Sequence, residues 1–284
     1  MARRNPNLKS SLARKRRRKI FAIKAVLVFL LSIGFVFLLS WFSRISPIQI
    51  AEIEVSGNSS VSGDEIMSLV KKETSGNYFM LFSKNSVFLY PKKSIETKLA
   101  DNFKKIEKAE IKFEGFKKII VKINERKAES LWCSGGKDAE NDRNENLRNC
   151  YFMDKEGVIF SAAPKFSGNV FMRYYGLLDD VDPIGKGYMS AEKFKGIIGF
   201  VSSLKNFGLA PVVFMAKTGS DYEISLEDGG RIIFDDRQSF DKTSDNLESV
   251  LGEIGLVKNR GAISGIKLDY VDLRFGNKVF YKTK

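Results

Sequence analysis

The chain has 284 residues, with 47 Lys and Arg against 34 Asp and Glu, a formal charge of +13, two cysteines and no histidine. Lacking histidine, it has neither the commonest general base nor the commonest zinc ligand, and two cysteines are too few for a thiolate metal cluster. No P-loop, dinucleotide fingerprint or nucleophile elbow fills the gap: Ser134-Gly135-Gly136-Lys137 reads as a polar loop, and Gly261-Ala262-Ile263-Ser264-Gly265 lacks the elbow spacing. The reading is therefore of a binding protein and not an enzyme, with no cofactor, no metal and no small-molecule substrate.

The charge is concentrated at the start. Residues 1–24 hold ten cations and no acid, among them the run Arg14, Lys15, Arg16, Arg17, Arg18 and Lys19. Setting that tail aside leaves 37 basic against 34 acidic residues, so the remainder is close to neutral and its partners need not be polyanions. Nucleic-acid binding is not indicated. Ala25–Ser43 follows with no charge at all. As a helix rising about 1.5 Å per residue it approaches the roughly 30 Å hydrocarbon thickness of a bilayer. The exit Ser40-Trp41-Phe42-Ser43-Arg44 has an aromatic anchor and no small-residue cleavage site, which favours an uncleaved span over a signal peptide. The alternative is a helix buried in a core. With the cations preceding the span and only Arg44 closely following it, residues 1–24 are expected in the cytoplasm, 25–43 in the membrane and the rest outside.

After Pro47, the residues Ile48, Ile50, Ile53 and Val55 predict a strand over Ile48–Val55, turned by Ser56-Gly57-Asn58. Ser62-Gly63-Asp64-Glu65 has the pattern of a capping box, opening a helix that carries Ile66, Leu69 and Val70 and stops at Gly76. Ile95, Leu99 and Phe103 suggest a second helix entered from Pro91. Ala109, Ile111 and Phe113 then alternate with charged residues, and Ile119, Val121 and Ile123 alternate again beyond the Glu114-Gly115 turn. The order is β-α-α-β-β over residues 48–124, a three-stranded sheet with two helices on one face.

Residues 125–284 are richer in strands. Ala128–Cys133, Cys150–Met153, Val158–Ser161 and Asn169–Tyr174 come first, then a helix capped by Ser190 with Phe194, Ile197, Ile198, Val201 and Leu204 inward and Gly208 at its end. Val212–Ala216, Tyr222–Leu226 and Arg231–Asp235 are strands, Leu247, Val250, Leu251 and Ile254 a helical stripe closed by Gly255, and Ile266–Phe280 a hairpin turning at Gly276-Asn277. The fold class is α+β throughout: one transmembrane helix, a small mixed domain, and a β-rich domain with flanking helices. If the strands before and after the polar loop 134–149 pair, Cys133 and Cys150 face each other, and an extracytoplasmic location permits a disulfide; the alternative is two free thiols.

This order of parts, together with three motifs, resembles the FtsQ/DivIB cell-division family. Ile119–Arg126 resembles the family's strand ending in a Glu-Arg pair, here Glu125-Arg126, with Trp132 shortly after. Asp154-Lys155-Glu156-Gly157-Val158-Ile159-Phe160 resembles its D-x-x-G-x-x-F hairpin, and Tyr270-Val271-Asp272-Leu273-Arg274-Phe275 its D-L-R-Y strand. The family's proline after the Glu-Arg pair is replaced by Lys127-Ala128, and the loop 134–149 is longer than usual. The resemblance implies a POTRA domain over 48–124 and an FtsQ-like β-domain over 125–284. It also implies a non-enzymatic scaffold at the division septum that holds FtsB/DivIC-like and FtsL-like proteins and helps regulate septal peptidoglycan synthesis. In the family a partner adds a strand beside the last strands. Here Val271–Arg274 and Lys278–Tyr281 form that hairpin, nothing after Lys284 covers its edge, and Asp272, Leu273, Arg274, Phe275, Val279, Phe280 and Tyr281 are the candidate contacts. A POTRA-bearing chaperone-like envelope protein, pairing strands through 48–124, is the alternative.

Overall fold

The computed structural model describes residues 8–115, 117–135, 149–178, 181–217, 219–255 and 267–284. Arg3, Arg4, most of the polar loop 134–149, Gly261–Gly265 and Ile266 lie outside the described residues. The chain divides into two compact units, Met1–Glu125 and Arg126–Lys284.

The first unit opens with α1 (Leu8–Phe42), and its Arg14–Phe42 portion is long and apolar enough to cross a membrane. Arg14 to Lys19 are exposed residues of this same helix, so the basic segment is helical and not a separate coil. Phe21, Phe29, Phe35 and Phe37 are exposed on different faces of the helix, and the apolar stretch is unburied by protein. A helix apolar all round is stable only where something apolar surrounds it, which removes the buried-core alternative.

A short 3₁₀ turn (Ser46–Ile48) leads to β1 (Glu52–Ser56). The predicted strand from Ile48 is thus shorter than expected. Ile48 and Ile50 instead pair with a later loop, the Val87 amide donating to Ile48 O and the Ile50 amide to Asn85 O. Next come α2 (Gly63–Thr74), the two-residue strands β2 (Asn77–Tyr78) and β3 (Phe82–Ser83), and α3 (Lys92–Asn102). The β2–β3 hairpin is an element the sequence periodicity does not mark. β4 (Ile106–Glu114) and β5 (Lys118–Glu125) complete a sheet of order β1-β5-β4, with β1 parallel and β4 antiparallel to β5. Ile66 and Val70 of α2, Ile95 and Leu99 of α3, and Ile111 and Val121 of the sheet form the centre of its core. Each contributes about 1.5–3 kcal/mol through burial. Phe113, expected to face inward, is exposed at the end of β4.

The capping box does not form: the Ser62 hydroxyl makes no cap bond. The loop before α2 is held by Glu125, whose carboxylate accepts from the amides of Ser59, Ser60 and Val61 and from both serine hydroxyls. Burial alone would raise the Glu125 pKa, but the Ser60 hydroxyl and the three amides outweigh it and hold the group at about 2.

The second unit is built on a nine-stranded sheet. Its strands in chain order are β6 (Ser130–Cys133), β7 (Cys150–Met153), β8 (Ile159–Ala162), β9 (Arg173–Tyr175), β10 (Pro211–Ala216), β11 (Asp221–Leu226), β12 (Arg231–Asp235), β13 (Leu268–Phe275) and β14 (Lys278–Thr283). Their order across the sheet is β14-β13-β12-β11-β10-β9-β6-β7-β8. The parallel pairs β9–β10 and β12–β13 are each bridged by a helix, α4 (Ala191–Asn206) and α5 (Phe240–Glu253). The two helices pack together through the Ser203 and Ser244 hydroxyls, 2.9 Å apart. Phe194, Phe200, Phe214 and Phe234 fill the space beneath, with the Phe200 and Phe234 rings 4.7 Å apart. Phe200, which lies outside the stripe read from the sequence, is buried in the core, whereas Ile198 and Ile254, expected inward, are only partly buried. Ser190 is the residue before α4 but makes no side-chain cap bond, while Ser239 caps α5 by accepting from the Lys242 amide.

Two motifs acquire physical roles. Asp154 Oδ1 accepts from the Glu156 and Val158 amides and Oδ2 pairs with Arg126, so the aspartate fixes the turn between β7 and β8. Gly157 closes that turn at φ 79°, and a Cβ there would meet Phe194 Cγ at 2.9 Å. The Glu-Arg pair therefore serves both units: Glu125 pins the loop of the first, Arg126 the turn of the second.

Cys133 and Cys150 are directly opposed in the β6–β7 register and are disulfide-bonded. Replacing both by serine is expected to lower stability by about 3 kcal/mol, the chain-entropy value for a loop of this size, measured by denaturant unfolding of the full chain. Glu125→Gln is expected to cost roughly 2 kcal/mol near neutrality, trimmed by partial exposure. Because the folded-state pKa lies below the ordinary 4.5, this contribution is complete above 4.5 and fades as pH falls toward about 2. The unfolding free energies of parent and variant should therefore converge at low pH; a constant gap from pH 7 to 2 would contradict the assignment.

Candidate partner-binding edge

A sheet that does not close has two edges, and here they differ. At β8 both backbone groups of Ile159 are used: its amide donates to Lys186 O at 2.9 Å and its carbonyl accepts from the Gly185 amide at 2.7 Å. The loop Gly185–Gly187 thus pairs with the start of that edge, and Val158 bridges to Gly187. At β14 no strand pairs with the outer side among the described residues. Such an edge presents a row of backbone donors and acceptors that an extended chain can extend into.

The candidate residues separate into two groups. Val279, Phe280 and Tyr281 lie on β14 itself, with Phe280 51% and Tyr281 41% exposed and Val279 packed against the core. Phe275 stands at the turn, 54% exposed, its ring edge-on to Phe280 at 5.1 Å. Together these rings form an ordered apolar patch at the hairpin end, bordered by Lys278 and by Lys282, which pairs with Asp269 at 3.2 Å. Asp272, Leu273 and Arg274 belong to β13, the strand next to the edge, where Asp272 pairs with Ile233 of β12 and Phe280 of β14. Leu273 and Arg274 fall in the irregular stretch of the β13–β14 register, and the Arg274 amide donates to Asp272 Oδ1, so none of the three lies on the outer edge strand. Leu273 is wholly buried in the core, and its carbonyl accepts from Gln238 Nε2 at 2.8 Å.

Asp272 and Arg274 have a different task. The Arg274 guanidinium takes both oxygens of Asp272, at 2.9 and 2.7 Å, and reaches Asp221 of β11 at 2.5 Å. One side chain thereby ties β13 to β11 across the intervening β12. Burial pushes the Asp272 carboxyl up, but the Arg274 side chain and amide outweigh this and leave it lowered. The Asp272 hydrogen bonds and the Asp221 contact in turn raise the Arg274 pKa. The D-L-R motif therefore builds the platform under the edge strand. Sequence reasoning also missed the pairs Lys217–Glu223 and Arg237–Asp235, whose carboxylates are buried on β11 and β12.

The β4 edge of the first unit is less open. In β4 the outward amide of Ile111 donates to Glu96 Oε1 of α3 at 2.9 Å, and Lys108 and Glu110 form an exposed ion pair along it. Edge strands blunted by charge and by side-chain bonds to the backbone are poor docking sites.

Residues 48–126 match the family model described as POTRA domain, FtsQ-type. No curated protein matches the chain. The match covers the whole β1 to β5 region and ends at the Glu125-Arg126 pair.

Arg274→Met is expected to destabilise the fold by about 2 kcal/mol, because it leaves Asp272 charged and buried without its partner, the cost being reduced by partial exposure. Phe280→Ala should leave the unfolding free energy within about 0.5 kcal/mol of the parent's, as exposed positions do. Parallel urea titrations of the two variants check this contrast between platform and edge.

Proposed function

We propose that this chain, which carries an FtsQ-type POTRA domain, is a single-span membrane scaffold of the bacterial divisome. In this reading β14 receives a strand from an FtsB/DivIC-type partner, and FtsL-type proteins join the same assembly. The N-terminal end of α1, with its cations from Arg14 to Lys19, lies on the cytoplasmic side, and both units work outside at the septum, influencing peptidoglycan synthesis without catalysing it. The observation that carries the reading is the contrast between sheet edges: the start of β8, at Ile159, is bonded to the loop Gly185–Gly187, while the outer side of β14 has no strand partner among the described residues and carries Phe280 and Tyr281, with Phe275 beside them. Main-chain pairing supplies affinity in strand addition, and the side chains of alternate residues supply specificity. Aromatic residues are the side chains most often dominant in such contacts.

Deleting everything from Ile266 onward would remove β13, and with it the core residues Leu268, Val271 and Leu273. Point variants on the edge separate binding from folding. Phe280→Asp with Tyr281→Asp in the full chain is expected to weaken capture of an FtsB/DivIC-type partner at least tenfold while the unfolding midpoint stays near the parent's. Undiminished capture by the double variant would remove β14 as the docking strand. Loss of capture on substituting residues of β1 or β4 instead would favour the POTRA-docking alternative.

A further inference from the structure

The β2–β3 hairpin has chemistry that neither unit's core nor the edge strand uses. Its register, Asn77 with Ser83 and Tyr78 with Phe82, leaves Phe79, Met80 and Leu81 between the strands, and Phe79 and Met80 are the central residues of a turn closed by the Leu81 amide on Tyr78 O at 2.9 Å. Both turn residues have positive φ, 50° and 61°. That backbone suits Asn-Gly, yet here it holds two large apolar residues. They are 91% and 88% exposed, more than any of the exposed large apolar residues of α1, where Phe21 reaches 75%. Water is an unfavourable place for such a pair, and strain retained at an exposed apolar tip suggests a use for it.

The position of the tip supplies the occupant. Ser40 Oγ donates to Leu81 O at 2.7 Å, and the Arg44 guanidinium donates to the carbonyls of Met80 and Leu81, each at 3.0 Å. The Ser83 amide donates to Ser43 Oγ at 3.2 Å. Ser40 and Ser43 are buried by this contact while Trp41 and Phe42 between them remain exposed. The hairpin is therefore fastened to one face of the last turn of α1. Ser40 precedes the end of the uncharged run by three residues, about 4–5 Å along the helix axis. Leu81 lies at that level, and the exposed tip is one and two residues away. Hydrogen bonds from Ser40 and Arg44 also satisfy tip carbonyls, which membrane depth requires. Lys84 lies over the Tyr78 ring at 5.3 Å, placing a cation beside the same region.

We propose that Phe79 and Met80 insert into the outer interface of the bilayer that α1 crosses, at the depth of Trp41, as a second membrane contact of the first unit. The apolar tip continues the apolar surface of the span, and together the two contacts set the height and tilt of the POTRA domain over the membrane. A single span would leave the domain to swivel; a span and a wedge, joined by four hydrogen bonds, do not. This inference rests on the reading of α1 as a transmembrane helix.

The test uses the full chain in nanodiscs of phosphatidylcholine and phosphatidylglycerol. Cys133 and Cys150 are bonded to each other, so one introduced cysteine is the only free thiol and takes a nitroxide label. Labels at Phe79→Cys and Met80→Cys are compared with Phe29→Cys in mid-span and Lys108→Cys on exposed β4. Electron paramagnetic resonance power saturation should show the tip labels more accessible to oxygen and less to a water-soluble nickel chelate than the Lys108 label, at a depth shallower than the Phe29 label. Tip labels matching Lys108 while the Phe29 label is deep would overturn the wedge and leave the span standing. A Phe29 label in water would overturn the span itself. Because a label can disturb so short a turn, a photoreactive phenylalanine analogue at position 79 gives a second readout: crosslinks to lipid are expected, and crosslinks to protein alone would contradict the proposal.

Discussion

Each interior strand of a sheet gives its backbone donors and acceptors to two neighbours, so a nine-stranded open sheet leaves two unsatisfied rows. That constraint organises the second unit. At the start of β8 the protein meets it internally, with Gly185 and Lys186 bonded to Ile159. At β14 it does not, among the described residues, and the open row carries the exposed rings of Phe280 and Tyr281 between Lys278 and Lys282. The contrast gives the edge its meaning. One edge strand begins under a loop of its own chain; the other has no strand beside it among the described residues.

An open edge is useful only on a rigid support. β14 touches the sheet through β13 alone, and β13 is secured twice. From the helix side Leu268, Val271 and Leu273 are sealed into the core under α5. From the other side Arg274 spans Asp272 and Asp221, two strands apart. Strand addition then extends a surface that is already ordered, and the partner need not bear the cost of organising it. The same economy of single side chains appears at Glu125 and Arg126. Two consecutive residues face different tasks, one organising a loop of amides and the other neutralising a turn aspartate.

Much of this was legible from patterns of apolar residues. The helices at Ile66–Val70, Ile95–Leu99, Phe194–Leu204 and Leu247–Leu251 have the 3.6-residue spacing that burial on one face requires, and β4 and β5 the period of two. The opposition of Cys133 and Cys150 could be posed because their flanking runs had strand character. What was not legible depended on partners distant in sequence. The Ser62 box looked complete locally, but Glu125, more than sixty residues on, binds the loop before the helix. Asp272 and Arg274 sat in a recognisable motif whose role, bridging to Asp221, appears only when β11 and β13 stand two strands apart. The hairpin at Asn77–Ser83 is too short for a periodicity; its signal was the uninterrupted run Tyr78-Phe79-Met80-Leu81-Phe82 after Gly76.

The most direct measurement is amide hydrogen exchange of the full chain, alone and with a strand-forming FtsB/DivIC-type segment. The account predicts that the partner slows exchange along Lys278–Thr283 and leaves β8 unchanged, since pairing uses the open row of one edge. Protection confined to β1 or β4, or saturated binding with β14 amides exchanging as before, would contradict it.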